Sequence, residues 1–417
     1  MMDRIKKSLR NFLKKHHGLR VVVRKVNIAF KVWSYKRIAR KVKLEEKTVL
    51  FEVFMGRQYA CNPRAIYEYM IKDSRFDDYS YIWVFEDIKK KHEYPELERA
   101  KTVKAKSREA LEAYARAKYI VTNSNLDYRV QKKTGQVIVQ TWHGTPLKKL
   151  RCDITATDGN VNNTLDEIKW KNDMDVVRYD YFLSPSPFAS DKFKSSFRMK
   201  ELGIEHIIAE TGYPRNDLLF NYNEEDVKRE KELLGIPDGK KVVLYAPTFR
   251  DNSHDGSGYV YDTHIDFDRL RKELGEEFII LFRAHYFIAN SFDFGKYEGF
   301  IYDVSRIDDI TPMYLISDIL ITDYSSVSFD FANLKRPILF YMYDLDEYAD
   351  SIRGFYFSVN ELPGDIIMTE DELIESIKKC SFPIFKLDER YESFNSKFNC
   401  IDDGRAAART VDLIFGE

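Results

Sequence analysis

Short apolar runs that stop abruptly in polar residues recur along this chain, and they constrain its fold more than any other feature. Tyr119–Asn123 (YIVTN), Val137–Thr141 (VIVQT), Tyr181–Ser184 (YFLS), Lys241–Tyr245, Glu277–Phe282, Asp318–Thr322 and Pro337–Tyr341 all have this form. They are too short for core helices and do not alternate, so they read as strands covered on both faces, as in a parallel sheet. Lys47–Met55 and Tyr79–Phe85 add β-rich runs, while Asn62–Lys72, Ser107–Ala117, Glu224–Leu234 and Gly404–Ile414 read as helices. Strand and helix in alternation predict an α/β fold. A chain of 417 residues exceeds one ordinary core. The turn-rich Gly235-Ile236-Pro237-Asp238-Gly239 is the expected linker between domains spanning 46–235 and 236–417. Two such units would leave an interdomain cleft facing the carboxyl ends of their strands, where α/β sheets bind ligands.

Charge is segregated. Residues 1–43 carry fifteen of the 66 Lys and Arg but only Asp3 of the 67 acidic residues, which leaves the rest near −15. Residues 1–45 therefore form a basic arm. Ile5, Leu9, Phe12 and Leu13 fall on one helical face beside Lys6, Lys7, Arg10 and Lys14, and Val26, Phe30 and Trp33 alternate with Arg24, Lys25, Lys31, Lys36 and Arg37. Cations flanking apolar anchors suit an anionic membrane surface. The same pattern fits a helix packed on its own domain, and an acidic body argues against nucleic acid. No run approaches ~20 apolar residues or a signal-peptide core. Cys61, Cys152, Cys380 and Cys400 show neither paired nor zinc-like spacing. The sequence is expected to act at the cytoplasmic side, without a metal or cofactor.

Three strand-end motifs carry the chemistry. In Gln140-Thr141-Trp142-His143-Gly144-Thr145-Pro146-Leu147, His143 ends a strand, where it can accept a hydroxyl proton. Thr145 before Pro146 predicts a helix N-cap whose amides would welcome phosphate. In Ile279–His285 (IILFRAH), Arg283 and His285 suit a diphosphate leaving group, although an arginine there can also satisfy loop carbonyls. In Asp318–Ser326 (DILITDYSS), Ser325 and Ser326 are placed to hold phosphate oxygens at a helix start. Asp323 looks like a metal ligand but has no second carboxylate beside it. Pro247 and Thr248 end a further strand, and Arg215 brings positive charge near the domain join.

Taken in order, TWHGTPLKKL, TGYPRND, YAPTFR, FRAHY and SDILITDYSSVSFDFANLKRPILFY resemble the CDP-glycerol glycerophosphotransferases of wall teichoic acid synthesis. The resemblance runs from about residue 48 to 410. It implies a GT-B-like fold of two Rossmann-like domains. It also implies transfer of polyol phosphate from a CDP-polyol to a hydroxyl of a lipid-linked acceptor (an undecaprenyl-diphosphate-linked saccharide or polyol phosphate), with release of CMP. CDP-glycerol is the expected donor and CDP-ribitol the alternative, with capsule-type polymers as related products. Under the resemblance the catalytic histidines are His143 and His285. Donor-binding positions fall on Gly144, Thr145, Pro146, Leu147, Arg215, Pro247, Thr248, Arg283, Ala284, Asp303, Ser325, Ser326 and Asp330. A bacterial enzyme peripheral to the cytoplasmic face of the membrane is the implied setting.

Overall fold

A computed structural model describes residues 17–154, 164–248, 264–284, 294–345, 354–380 and 385–416. They divide into two compact units: one of residues up to 143 with 150–183 and 193–209, the other of 144–149, 184–192 and 210 onward. The expected linker near residue 235 falls inside the second unit. The reason is local: Asp217 caps the helix Ala406–Phe415 by accepting the N–H groups of Ala406 and Ala407 at 2.8 and 2.7 Å.

The first unit holds a seven-stranded, wholly parallel sheet. Its strands are β1 (Glu45–Glu52), β2 (Ser80–Phe85), β3 (Ala100–Lys104), β4 (Ala117–Thr122), β5 (Val137–Gln140), β6 (Tyr181–Leu183) and β7 (Ile208–Ala209), in the order 3-2-1-4-5-6-7. The central strands are apolar because helices cover both faces: Val49, Leu50, Phe51, Ile120, Val121, Ile138 and Val139 are all buried. Chain progression reverses between β1 and β4, which makes the carboxyl ends of those two strands the topological switch point.

The second unit repeats the plan with six parallel strands: β8 (Lys241–Ala246), β9 (Phe278–Phe282), β10 (Ile301–Asp303), β11 (Ile319–Thr322), β12 (Ile338–Tyr341) and β13 (Asp365–Ile367). Their order, 10-9-8-11-12-13, is again Rossmann-like, with its switch point between β8 and β11.

In the basic arm, residues 1–16 lie outside the described residues, including Ile5, Leu9, Phe12 and Leu13. The rest forms the helix His17–Ala39, which serves two surfaces. Its inner side packs on the first unit through buried Tyr35 and Ala39. Arg20 and Arg24 pair there with the buried Glu167 at 2.9 and 2.6 Å, and Lys25 lies over the Trp170 ring. The other side exposes Leu19, Val22, Val23, Val26, Phe30 and Trp33, with Val26 and Phe30 at 64% and 65% of full exposure. At 3.6 residues per turn these six side chains share an arc of about 100°.

Candidate active site

At the first switch point three strand ends converge on one imidazole. His143 lies three residues past β5, and its Nδ1 donates to the main-chain oxygen of Asn123, just past β4, at 2.7 Å. Because a carbonyl only accepts, this bond fixes the proton on Nδ1. In the neutral ring the basic lone pair is then on Nε2. The Trp142 ring lies 4.3 Å from the imidazole, and the Phe54 ring, from the turn after β1, meets it edge-on at 5.6 Å. Phe54, Met55 and Trp142 adopt φ of 46°, 61° and 51°, a region that costs non-glycine residues free energy and collects at functional sites. Each strained turn is tied down. Phe54 N–H donates to Asn123 Oδ1 at 2.9 Å and Met55 N–H to Ser124 Oγ at 3.2 Å. Asn62 Nδ2 bonds the carbonyls of Thr141 and Trp142, and Trp142 N–H donates to Gln140 Oε1. At the last residue of β1, burial lifts the Glu52 carboxyl to about 7, against a smaller opposing effect of Tyr114.

The helix start expected at Thr145-Pro146 is not there. Gly144 to Leu147 are buried in an irregular segment that bends at Gly144 and Leu147. The backbone is taken up by residues 354–356: Tyr356 N–H donates to the Leu147 carbonyl at 2.9 Å, Lys149 N–H to the Gly354 carbonyl at 2.8 Å, and Lys148 bridges Phe355. Through the Leu147 carbonyl and the Lys149 N–H the segment takes strand-like pairing with residues 354–356 in place of a helical first turn.

At the second switch point, past β8 and β11, the structure brings together Pro247, Thr248, Ser325, Ser326 and Gly144. A Cβ on Gly144 would sit 2.5 Å from Ser326 Oγ and 2.9 Å from its Cβ, so only glycine lets the backbone pass this close. Asp323, considered above as a metal ligand, is buried and accepts Thr248 N–H through both carboxylate oxygens, at 2.9 and 3.1 Å, and Tyr324 N–H at 2.6 Å. Ser326 precedes the helix Val327–Ala332 without capping it.

The remaining expected positions have inward partners. Arg283 donates to the carbonyls of Val304 and Ile307 at 2.9 and 2.8 Å, and Ala284 N–H donates to Ser305 Oγ at 2.9 Å. Asp303 accepts Ser305 N–H at 2.9 Å, so Arg283, Ala284 and Asp303 form one loop assembly. Arg215 Nη2 bonds both oxygens of Asp330 at 2.8 and 2.9 Å, in a buried pair joined by Asn216. Asn216 also donates to Asp402, whose carboxyl burial raises to about 7. His285 lies outside the described residues. Asn123 and Asn62 escaped the sequence reading; the available signal was a polar residue placed directly after a buried strand or opening a helix. Among the described residues no three His, Cys, Asp or Glu side chains gather as metal ligands would, and no helix is long and apolar enough to cross a membrane.

Known proteins resemble this chain in sequence and in fold. A family model described as CDP-Glycerol:Poly(glycerophosphate) glycerophosphotransferase matches residues 34–416. The teichoic acid poly(glycerol phosphate) polymerase of Bacillus subtilis (strain 168) is 42% identical over 391 residues, which cover 92% of this chain and 51% of that protein. This chain thus spans about half of that relative's length. The protein of the same name from Bacillus spizizenii is 39% identical, with 91% of this chain and 95% of that protein covered. The solved wall teichoic acid polymerase TagF superposes with a TM-score of 0.84 at 36% identity, covering 99% of this chain and 97% of that one. Its likeness identifies the two-sheet architecture as GT-B-like.

Proposed function

The chain belongs to the CDP-glycerol:poly(glycerophosphate) glycerophosphotransferase family, and on that premise we propose that it transfers glycerol phosphate from CDP-glycerol to a hydroxyl of a lipid-linked acceptor in teichoic acid synthesis. The observation that carries this reading is the imidazole of His143, whose Nδ1–H is committed to the Asn123 carbonyl and whose basic nitrogen is therefore Nε2. The acceptor oxygen bonds to the β-phosphorus of the donor while the bond from that phosphorus to the bridging oxygen breaks. The hydroxyl proton passes to His143 Nε2, and CMP leaves with the bridging oxygen and its electron pair. Thr248 supplies a hydroxyl, and Ser325 and Ser326 supply hydroxyls and amides, for the diphosphate at the second switch point, the place where doubly wound sheets take nucleotides. His285 is assigned to the leaving phosphate. Arg283 and the Arg215–Asp330 pair act from behind, holding the loops on which donor-contacting groups sit. That TagF was solved after a soak with CDPG supports a donor of this class.

The helix His17–Ala39 is the proposed contact with the cytoplasmic leaflet of a bacterial membrane. Its apolar stripe is flanked by cations, and its opposite side is already occupied by its own domain. CMP release assayed across CDP-glycerol, CDP-ribitol and a UDP-sugar, with an acceptor ending in glycerol phosphate, tests the function. Release from CDP-glycerol is expected; turnover of the UDP-sugar alone would overturn the reading.

A further inference from the structure

We infer that Asn123 is a positioning residue for His143: its carboxamide, bonded to the turn after β1, holds in place both the main-chain carbonyl that sets the imidazole tautomer and the ring edge beside the imidazole. The inference rests on the proposed role of His143 as base. Asn123 is the first residue past β4 and is fully buried. Its carbonyl receives His143 Nδ1–H at 2.7 Å, and its Oδ1 receives Phe54 N–H at 2.9 Å. A single residue thus couples the turn after β1, which supplies the ring edge against the imidazole, to the imidazole itself. Phe54 sits at φ 46°, a conformation that persists only where surrounding bonds over-determine it. The carboxamide of Asn123 supplies one such bond.

The second sheet uses the same device. Asp323 is the first residue past β11 and accepts the N–H of Thr248, the second residue past β8. Asn123 likewise accepts the N–H of Phe54, the second residue past β1. Both sheets therefore close their switch point with one acceptor side chain at one topological position. They differ in charge. A carboxylate at 123 would stabilise the imidazolium form of His143 and raise its pKa, whereas the amide provides the same acceptor without that charge. Asn123 Nδ2 is buried with no partner among the described residues, so replacing the amide by an apolar group of similar size removes a buried unpaired donor along with the acceptor.

The test uses the full chain and the variants Asn123→Leu and Asn123→Asp. For Asn123→Leu the expected result is a fall in kcat of about 10–100-fold with KM for CDP-glycerol within about twofold, as for a misplaced base. In ligand-free protein, the ¹⁵N signals of His143, assigned by their loss in His143→Ala, should change from the Nδ1–H tautomer to an averaged state. Asn123→Asp retains the acceptor and should keep kcat at high pH, with the acid limb of kcat/KM displaced upward by at least about half a pH unit. An Asn123→Leu protein that folds and keeps its kcat, or that loses kcat with the tautomer signals unchanged, overturns the proposal. Should that variant fail to fold, an unmoved acid limb in Asn123→Asp overturns it alone. Loss of the base assignment is a separate outcome, recognised by His143→Ala retaining turnover, and the tautomer measurement still decides the link to Asn123.

Discussion

The carboxylate of Asp323 receives the main-chain N–H of Thr248 on both oxygens, at 2.9 and 3.1 Å, and so fixes the loop after β8 against the loop that carries Ser325 and Ser326. If those loops seat the donor, Asp323→Ala should weaken CDP-glycerol binding by about tenfold, the range of a charge-assisted hydrogen bond. Asp323→Asn, which keeps one acceptor, should lose less. Calorimetric titration checks both; affinity unchanged in Asp323→Ala would move the donor away from these loops.

Gly144 and Ser326 are in closer approach than any side chain at 144 permits. Gly144→Ala should cost about 1–3 kcal/mol, as overpacked sites do. Ser326→Gly removes the atoms a new Cβ would strike, so the double variant should recover most of that loss. A double-mutant cycle in urea measures the coupling. Additive losses would mean that the close approach does not persist in solution.

Val26, Phe30 and Trp33 present an apolar stripe with Lys36 along its border and Arg37, over the Trp33 ring, at its end. Phe30→Ser/Trp33→Ser should release the protein from anionic vesicles in sedimentation while sparing turnover of a short soluble acceptor. Wild-type binding should fall with rising salt, since attraction to the leaflet is screened over about 8–10 Å near physiological ionic strength. Full vesicle binding by the double variant would place the membrane contact elsewhere.

Two buried carboxyls give the fold a pH dependence of definite sign. Burial raises both Glu52 and Asp402 to about 7, from ordinary values of 4.5 and 3.8. The folded chain therefore holds these protons more tightly than the unfolded chain. Their contribution is fully present below the unfolded values and is lost as pH rises through about 7. Glu52→Gln and Asp402→Asn should each flatten the decline in unfolding midpoint between pH 5 and 8 relative to wild type. A decline of the same slope in both variants would contradict these assignments.

Much of this fold is legible in the sequence where strands are buried on both faces. Val137–Gln140, Phe278–Phe282 and Ile319–Thr322 emerge within a residue or so of their expected bounds, because unbroken apolar runs have few other uses. The edge strands β3 and β7 escape that reading. Ala100–Lys104 buries only Ala100 and Val103 of its five residues and Ile208–Ala209 is only two residues long, so their pairing is set by a neighbouring strand and not by their own pattern. The helix expected after Pro146 fails for a related reason: its cap signal is local, while the pairing with Gly354 and Tyr356 is made across the fold. The place of His143 just past a strand end is legible in its motif. The grip of Asn123 upon it depends on two chain segments twenty residues apart, and spacing alone does not reveal it.

The central claim is that His143 takes the acceptor's proton during transfer from CDP-glycerol. The most direct measurement is single-turnover CMP release by wild type and His143→Ala at saturating donor, with folding verified by circular dichroism. A loss of at least about 10²-fold in the chemical step, with donor binding retained, is the predicted result for a missing general base. Release by folded His143→Ala at near wild-type rate would contradict the account.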